Sequence, residues 1–217
     1  MTLGALSAIA VGDPASALAV VVLHGREMCG ADLAPFAHSL GGDAYFVFPD
    51  GPLPSTRART WWPVDAEARI RGLAGGPMEL SQMDPPGRAE ARALLGGLLG
   101  ELAAARVVIV GFSQGGMLAM DHVLHGARRP AALALLSSTR IAIDEWTTRA
   151  SESRALAGLP VLVAHGHADR ELAFAAGEHL RDFAAQHGAD VTWLPFEGGH
   201  EIPLVVWRAL RRLLKSV

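Results

Sequence analysis

The chain has 217 residues, of which 50% are hydrophobic and 19% are charged, a composition typical of one folded domain with a sizeable core rather than of a disordered chain. The formal net charge is -3, so the sequence lacks the broad positive field that would favour nucleic acid or an anionic membrane as a partner. The single cysteine, Cys29, excludes an internal disulfide and a thiolate metal cluster, and we expect a reducing, cytoplasmic location.

The amino-terminal segment is apolar from residue 3 to 11, which raises the question of export. A signal peptide carries positive charge before its apolar stretch, whereas the first basic residue here is Arg26. No stretch approaches the ~20 uninterrupted apolar residues that cross a bilayer. We therefore expect neither a signal peptide nor a membrane span. The segment instead predicts an edge hairpin between residues 6–11 and 17–23, with a turn at 12–14.

Short runs of Val, Ile, Leu and Phe alternate with longer segments of helical spacing, a pattern typical of a mostly parallel sheet with helices on both faces. Strands are predicted at 18–23, 45–48, 107–110, 132–136, 161–164 and 191–194. Helices are predicted at 31–40, 88–105, 114–125, 171–187 and 203–215. The sequence thus predicts one α/β domain over residues 1–217.

Two stretches between these elements concern access to a site. Residues 50–86 are rich in Pro, Gly and Arg and have weak periodicity, which predicts a long functional loop. Residues 137–160 have room for at most one short helix. We therefore expect no large lid domain.

The segment Gly-Phe-Ser-Gln-Gly at 111–115 follows a predicted strand and precedes a helix-forming run. In a Gly-x-Ser-x-Gly turn the glycines let the backbone fold back sharply, which exposes the serine hydroxyl at the start of the helix. The motif alone has little specificity in a chain with 24 glycines, and an ordinary Gly-rich connection is the alternative. The flanking strand and helix make Ser113 the candidate nucleophile.

A serine nucleophile needs a histidine base and a carboxylate that orients the base. Asp169 ends the loop His-Gly-His-Ala-Asp, and His200 ends the loop Pro-Phe-Glu-Gly-Gly-His, each after a predicted strand. The chain order Ser, Asp, His is the one expected for this turn, and the carboxyl ends of parallel strands share one edge of the sheet. The sequence predicts a triad of Ser113, Asp169 and His200.

Each partner has an alternative in the sequence. Asp144 or Glu145 could supply the acid, and Asp169 could instead cap the following helix. The pair His165 and His167 could form half of a metal site, but no third ligand follows at a recognisable spacing. We expect no metal and no cofactor.

Acyl transfer also needs backbone donors for an oxyanion. The amide after the nucleophile belongs to Gln114, and the loop Leu-His-Gly-Arg after the first parallel strand offers the amide of Arg26, unless that loop is a plain strand-ending turn. In the long loop, Trp61 and Trp62 could form an aromatic wall of a substrate pocket or pin the loop to the core. Cys29 lies near the oxyanion loop but lacks the strand-to-helix turn, so we interpret it as an incidental thiol.

Taken together, Leu-His-Gly, Gly-Phe-Ser-Gln-Gly-Gly, His-Gly-x-x-Asp and Gly-Gly-His resemble the phospholipase/carboxylesterase family of α/β-hydrolases, relatives of the acyl-protein thioesterases. The resemblance covers nearly the whole chain and implies an α/β-hydrolase fold. It departs from the family pattern in two places. After Asp169 the family has proline and then a hydrophobic residue, whereas residues 170–172 here are Arg-Glu-Leu. After the fourth strand the family has Ser-Gly and then a hydrophobic residue, whereas residues 137–140 here are Ser-Ser-Thr-Arg.

The resemblance implies hydrolysis of carboxylic esters or thioesters with Ser113, Asp169 and His200 as the triad, and the expected partner is a small-molecule ester. A thioesterase, lysophospholipase or acyltransferase would use the same triad. A dienelactone-hydrolase-like enzyme would have a cysteine at position 113. A hydrolase homologue that binds a small ligand without turnover is the alternative of a different class. The sequence leaves the oligomeric state open, including a homodimer.

Overall fold

Strands and helices alternate through residues 1–126 and 128–217, the part of the chain that the computed structural model describes. The strands are β1 (Thr2–Leu3), β2 (Leu6–Val11), β3 (Leu18–Leu23), β4 (Ala44–Pro49), β5 (Leu53–Pro54), β6 (Arg59–Thr60), β7 (Arg106–Phe112), β8 (Ala132–Leu136), β9 (Pro160–Gly166) and β10 (Asp190–Phe196). The helices are α1 (Gly30–Leu33), α2 (Ala37–Leu40), α3 (Ala66–Ala74), α4 (Arg88–Gly100), α5 (Gln114–His125), α6 (Ile143–Ser153), α7 (Phe174–Gln186) and α8 (Leu204–Lys215).

Eight of these strands form one sheet in the order β1-β2-β4-β3-β7-β8-β9-β10. The six strands from β4 to β10 are parallel, and β1 and β2 are antiparallel to their neighbours. After β3 the chain continues to β4 on one side and later to β7 on the other. The carboxyl ends of β3 and β7 therefore flank the point where the strand order reverses, which is where open α/β sheets bind ligands.

The core lies on both faces of the sheet because alternate strand residues point to opposite sides. Val21 and Ile109 pack with helices α4 to α7, whereas Val20 and Val108 pack with α1, α2 and α8. This arrangement confirms the predicted α/β-hydrolase fold, a mostly parallel sheet covered on both faces. The described residues form no large lid domain, as expected.

The predicted hairpin between residues 6–11 and 17–23 is wrong. Strand β2 pairs with β4, and β4 lies between β2 and β3. The connection through α1 and α2 makes β4 a parallel neighbour of β3, and β7 is its other neighbour. Because both hydrogen-bonding edges of β3 are occupied, β2 pairs with the outer edge of β4.

Several helix bounds also differ from the predictions. The predicted helix 31–40 is divided into α1 and α2 by a 3₁₀ turn, Ala34–Phe36, which contains Pro35 and its missing N–H. Helix α4 ends at Gly100 rather than at residue 105, and α7 begins at Phe174 rather than at 171. Helix α3 lies in the segment expected to be a loop. Among the described residues, no helix has both the length and the apolar character needed to cross a membrane.

Candidate active site

Ser113 lies in a sharp turn between β7 and α5. Its backbone has φ 54° and ψ -118°, a conformation outside the regions that L-residues favour. A Cβ on Gly111 would lie 2.3 Å from the carbonyl oxygen of Gly115, and a Cβ on Gly115 would lie 2.4 Å from the carbonyl oxygen of Leu23. Both positions therefore need glycine, which explains the two glycines of the motif.

The three side chains of the predicted triad lie in contact. His200 Nε2 is 2.9 Å from Ser113 Oγ, and His200 Nδ1 is 2.7 Å from Asp169 Oδ2. The imidazole packs on Phe112, the last residue of β7, with the ring centroids 5.0 Å apart. This is the geometry of a nucleophile, a base and a group that orients the base.

Asp169 is 4% exposed and is held by several donors. Its Oδ1 accepts hydrogen bonds from the backbone N–H groups of Glu171 and Leu172, at 2.8 and 3.0 Å. Burial alone would raise the pKa of this carboxyl, but the contacts of His165 and His200 and the Leu172 N–H outweigh burial and hold the pKa below its usual range. Asp169 is therefore a carboxylate at neutral pH. The turn ends before α7, so Asp169 is not the cap of that helix.

The alternative acids of the sequence lie on α6, in a different setting. Asp144 is exposed. The Glu145 carboxylate pairs with Arg88, and its Oε1 is 2.7 Å from His125 Nε2. Glu145 is thus bound to side chains of α4 and α5, whereas Asp169 contacts His200.

The two candidate oxyanion amides adjoin Ser113. The loop after β3 passes close to the serine, since a Cβ on Gly25 would lie 3.3 Å from the Ser113 Cβ. The next residue, Arg26, lines the same cavity as Ser113 and Gln114. Among the described residues, the backbone N–H groups of Arg26 and Gln114 have no hydrogen-bond acceptor. Both donors are therefore free for a ligand.

His24 holds this loop in place. Its ring is buried, and the N–H of Gly51 donates to Nε2 at 2.8 Å, so Nδ1 carries the ring hydrogen and donates to the carbonyl of Gly25 at 2.7 Å. Burial lowers the pKa of His24, which agrees with a neutral ring. Trp61 stacks on the same imidazole and donates from Nε1 to the His24 carbonyl at 2.8 Å. Trp61 thus attaches the long loop of residues 50–86 to the loop that carries His24 and Arg26.

The side chain of Gln114 connects the same two regions, a role that sequence reasoning missed. Its Oε1 accepts from Thr60 Oγ1 at 2.8 Å and from the Trp61 N–H at 3.0 Å. Its Nε2 donates to the Trp62 carbonyl at 3.2 Å. The only signal in the sequence is a long polar residue directly after the nucleophile, so its partners could not be foreseen.

A mostly apolar cavity of about 590 Å³ opens beside Ser113. Its apolar lining includes Trp62, Met78, Leu80, Met83, Met117 and Leu172. The two tryptophans therefore differ. Trp62 lines the cavity, whereas Trp61 does not line it and instead bonds to the carbonyl of His24. Cys29 precedes α1 and does not line this cavity.

One wall of the cavity, the segment 78–83, is bonded to loops on both sides. Met78 exchanges two backbone hydrogen bonds, donating to the Glu171 carbonyl and accepting from the Ala173 N–H, each at 3.0 Å. At the other end, the carbonyls of Ser81 and Met83 accept from the N–H groups of residues 143 and 142, at 2.9 and 2.8 Å. The wall is thus anchored to the turn that carries Asp169 and to the start of α6.

The two other histidines of the Asp169 loop have different surroundings. His165 is buried beside Asp169, whereas the half-exposed ring of His167 stacks on Phe174 with the centroids 4.2 Å apart. Within the described residues, no group of three or more histidine, cysteine or carboxylate side chains is arranged to hold a metal ion.

Comparisons with known proteins identify structures that share this fold. The chain is similar in structure to esterase PE8, with 23% identity, a TM-score of 0.79 and coverage of 98% of this chain and 99% of that one. It is also similar to acyl-protein thioesterase 2 of Zea mays (19% identity, TM-score 0.74, coverage of 97% and 98%). A third similar structure is a carboxylesterase from Mesorhizobium loti (19% identity, TM-score 0.72, coverage of 93% and 90%). At these identities the likeness shows a common fold.

A comparison with curated proteins finds none that matches. The model of the phospholipase/carboxylesterase family matches residues 91–217, which is more than half of the chain and includes the Gly-Phe-Ser-Gln-Gly-Gly, His-Gly-x-x-Asp and Gly-Gly-His motifs. The resemblance noted in the sequence is thereby confirmed, and the chain belongs to the phospholipase/carboxylesterase family of α/β-hydrolases.

Proposed function

We propose that the protein is a serine carboxylesterase that hydrolyses carboxylic esters of small to medium acyl chains through an acyl-enzyme. The observation that carries the proposal is the continuous chain of contacts from Ser113 Oγ to His200 Nε2, at 2.9 Å, and from His200 Nδ1 to Asp169 Oδ2, at 2.7 Å. A structural histidine would not need both a serine hydroxyl and a buried carboxylate, one at each ring nitrogen.

Each group has a role in the proposed reaction. His200 Nε2 takes the proton of Ser113 as Oγ attacks the ester carbonyl, and the ionised Asp169 stabilises the imidazolium that forms. The free N–H groups of Gln114 and Arg26 donate to the oxyanion of the tetrahedral intermediate. His200 then returns the proton to the departing alcohol. In the second half it activates a water that releases the acid from Ser113.

The cavity supports the substrate class. Its volume of about 590 Å³ lies in the range of pockets that enclose a small organic ligand, which is about 300–1,000 Å³. The lining is mostly apolar and Ser113 is part of it, so an acyl chain bound there would have its carbonyl at the nucleophile. Burial of each methylene would favour binding by about 0.8 kcal/mol until the cavity is full.

The first test is a panel of p-nitrophenyl esters of increasing acyl length, with Ser113→Ala as the comparison. We expect hydrolysis by the wild type, an optimum at intermediate length, and a loss of about 10⁴-fold or more in kcat for the variant. Hydrolysis by Ser113→Ala at the wild-type rate would show that Ser113 is not the nucleophile. A binding protein without turnover would retain the ester and release no p-nitrophenol.

The same panel distinguishes the thioesterase alternative. An oxygen ester and a thioester of the same acyl chain are compared by kcat/KM, and a large preference for the thioester would replace carboxylesterase by thioesterase as the activity. Product analysis with an added alcohol tests the acyltransferase alternative, since transfer would yield a new ester instead of free acid.

The acid is tested by two matched substitutions, Asp169→Asn and Asp144→Asn. We expect the first to lower kcat by about 10⁴-fold, since the asparagine amide holds the imidazole in the wrong tautomer, and the second to leave kcat within about twofold, because Asp144 is exposed on α6. A larger loss for Asp144→Asn would identify that residue as the acid.

A further inference from the structure

His165 is a buried histidine that the proposed reaction does not use. It lies near the end of β9 and is 0% exposed. Its Nε2 is 3.2 Å from the carbonyl oxygen of Leu172 and 3.3 Å from Asp169 Oδ2, the same carboxylate oxygen that faces His200. His165 and His200 therefore contact the same oxygen of the candidate acid.

The surroundings of the ring define its tautomer. On its other side the ring packs against α7, where a Cβ on Gly177 would lie 2.5 Å from His165 Nδ1. Among residues 1–126 and 128–217, Nδ1 has no hydrogen-bond partner. A hydrogen on Nδ1 would be buried without an acceptor, at a cost of about 1–3 kcal/mol. The ring hydrogen is thus on Nε2, beside the two oxygens.

This N–H is shared between the two acceptors. The Leu172 carbonyl oxygen is 3.2 Å from Nε2, and Asp169 Oδ2 is 3.3 Å from the same nitrogen. Leu172 is tied to Asp169 a second time, because its N–H donates to Oδ1 at 3.0 Å. His165 thus connects the carboxylate to the backbone that closes the turn from Asp169 to Leu172.

We propose that His165 is a positioning residue for Asp169, which holds the carboxylate and its turn so that Oδ2 faces His200. The inference rests on the proposed function, since it assigns His165 to the orientation of the catalytic acid. Without this N–H, Oδ2 has His200 as its remaining side-chain donor, and the carbonyl of Leu172 is left without a partner in the interior. Residues that orient the ligands of a metal ion by a hydrogen bond affect activity by about 10–100-fold, and we expect an effect of this size for a residue that orients Asp169.

Two amide substitutions separate this role from a merely structural one. In His165→Gln the side-chain nitrogen is four bonds from Cα, as Nε2 is in histidine, so it can donate to both the Leu172 carbonyl and Oδ2. In His165→Asn the nitrogen is three bonds from Cα, one fewer than Nε2, so we expect it to reach neither acceptor. Both variants bury one uncharged amide, so a general cost of packing affects both.

The experiment measures kcat and KM for a p-nitrophenyl ester in the wild type, His165→Gln, His165→Asn and His165→Leu. His167→Gln is the matched control, because this half-exposed histidine of the same loop stacks on Phe174 instead of contacting Asp169. We expect kcat to fall about 10–100-fold in the Asn and Leu variants and to stay within about threefold of the wild type in the Gln variant, with KM little changed in all of them. Equal losses in the Gln and Asn variants would overturn the proposal, as would wild-type kcat in His165→Leu.

A spectroscopic readout keeps the test informative when stability also changes. We expect the hydrogen between His200 Nδ1 and Asp169 Oδ2, which are 2.7 Å apart, to give a far-downfield proton NMR signal. We expect this signal to shift or disappear in His165→Leu and to return to its wild-type position in His165→Gln. An unchanged signal in the Leu variant would overturn the proposal. Failure of the proposed function gives a different result, since the wild type itself would then show no hydrolysis that depends on Ser113.

Discussion

Gly116 lies directly against Ser138, so that a Cβ built on the glycine would be 2.6 Å from the serine Oγ and 2.7 Å from its Cβ. Ser138 in turn donates a hydrogen bond to the Ser113 carbonyl at 3.0 Å. We expect Gly116→Ala to displace Ser138 and to lower the free energy of unfolding by about 1–3 kcal/mol, the usual cost of overpacking a filled site. Urea unfolding measures the effect.

The double variant Gly116→Ala/Ser138→Gly is the control for this explanation. Removal of the Ser138 side chain makes room for the new methyl group, so we expect the double variant to be more stable than Gly116→Ala alone. Additive losses in the double variant would show that the contact with Ser138 is not the cause.

The two neighbouring tryptophans should respond differently to substitution by phenylalanine. Trp61→Phe removes the N–H that satisfies the buried His24 carbonyl, so we expect the free energy of unfolding to fall by about 1–3 kcal/mol and kcat to fall with the disturbed oxyanion loop. Trp62→Phe changes the cavity wall, so its main effect should be on KM for long acyl chains. Chemical unfolding and ester kinetics on both variants check this, and the reverse assignment of effects would contradict it.

Asp169 makes stability depend on pH on the acid side. Its contacts with His165, His200 and the Leu172 N–H hold the pKa of the folded carboxyl below that of the unfolded chain, despite burial, and the unfolded value is about 3.9. The charged carboxylate therefore contributes stability above about pH 4, and this contribution is lost as the pH falls through the folded pKa.

We expect the unfolding free energy of the wild type to fall more steeply below about pH 4 than that of Asp169→Asn, which has no such group to titrate. Urea unfolding at a series of pH values gives both slopes. Parallel slopes would mean that the ionisation of Asp169 is not linked to folding.

Asp121 lies outside the candidate triad, and we expect it to contribute to the stability of the fold. It is 0% exposed and accepts hydrogen bonds from Arg92 at 2.9 Å, from Trp146 Nε1 at 2.8 Å and from the buried Arg88. Asp121→Asn removes a negative charge that pairs with the positive charge of the buried Arg88. We therefore expect the unfolding free energy to fall by about 3–5 kcal/mol. The kcat of the folded enzyme should remain near the wild-type value.

An exposed ion pair of the same chain is the comparison for Asp121. On α6, Arg149 Nη1 is 3.6 Å from Glu152 Oε2, and the two side chains are 52% and 62% exposed. We expect Glu152→Gln to change the unfolding free energy by less than about 1 kcal/mol. A similar loss in the two variants would show that burial of Asp121 does not set the cost.

Most of what sequence reasoning predicted well depends on local patterns. The strand before Ser113 and the loops that end at Asp169 and His200 combine a run of β-branched residues with glycine, and each signal lies within about ten residues. The sheet then brings the three loops to one edge, because the carboxyl ends of parallel strands lie together. The fold and the identity of the candidate triad could therefore be predicted from the sequence.

What the sequence did not predict depends on distant pairings or on a missing signal. The hairpin prediction used the turn at residues 12–14, but the pairing of β2 was decided by the other neighbours of β3. Helix α3 was missed because none of its residues is buried, so it lacks the apolar stripe that periodicity detects. The contacts of the Gln114 side chain and of His165 are hydrogen bonds inside the fold, and no spacing in the sequence indicates them.

The anchored segment 78–83 has a consequence for selectivity. Since backbone hydrogen bonds fasten both of its ends, this wall of the proposed acyl site has its shape before an ester binds. A preformed wall moves little when a ligand binds. We therefore expect kcat/KM to fall sharply, and not gradually, once the acyl chain is one or two carbons longer than the cavity accepts. A site with a mobile wall would accept the longer acyl chain with a smaller loss of kcat/KM.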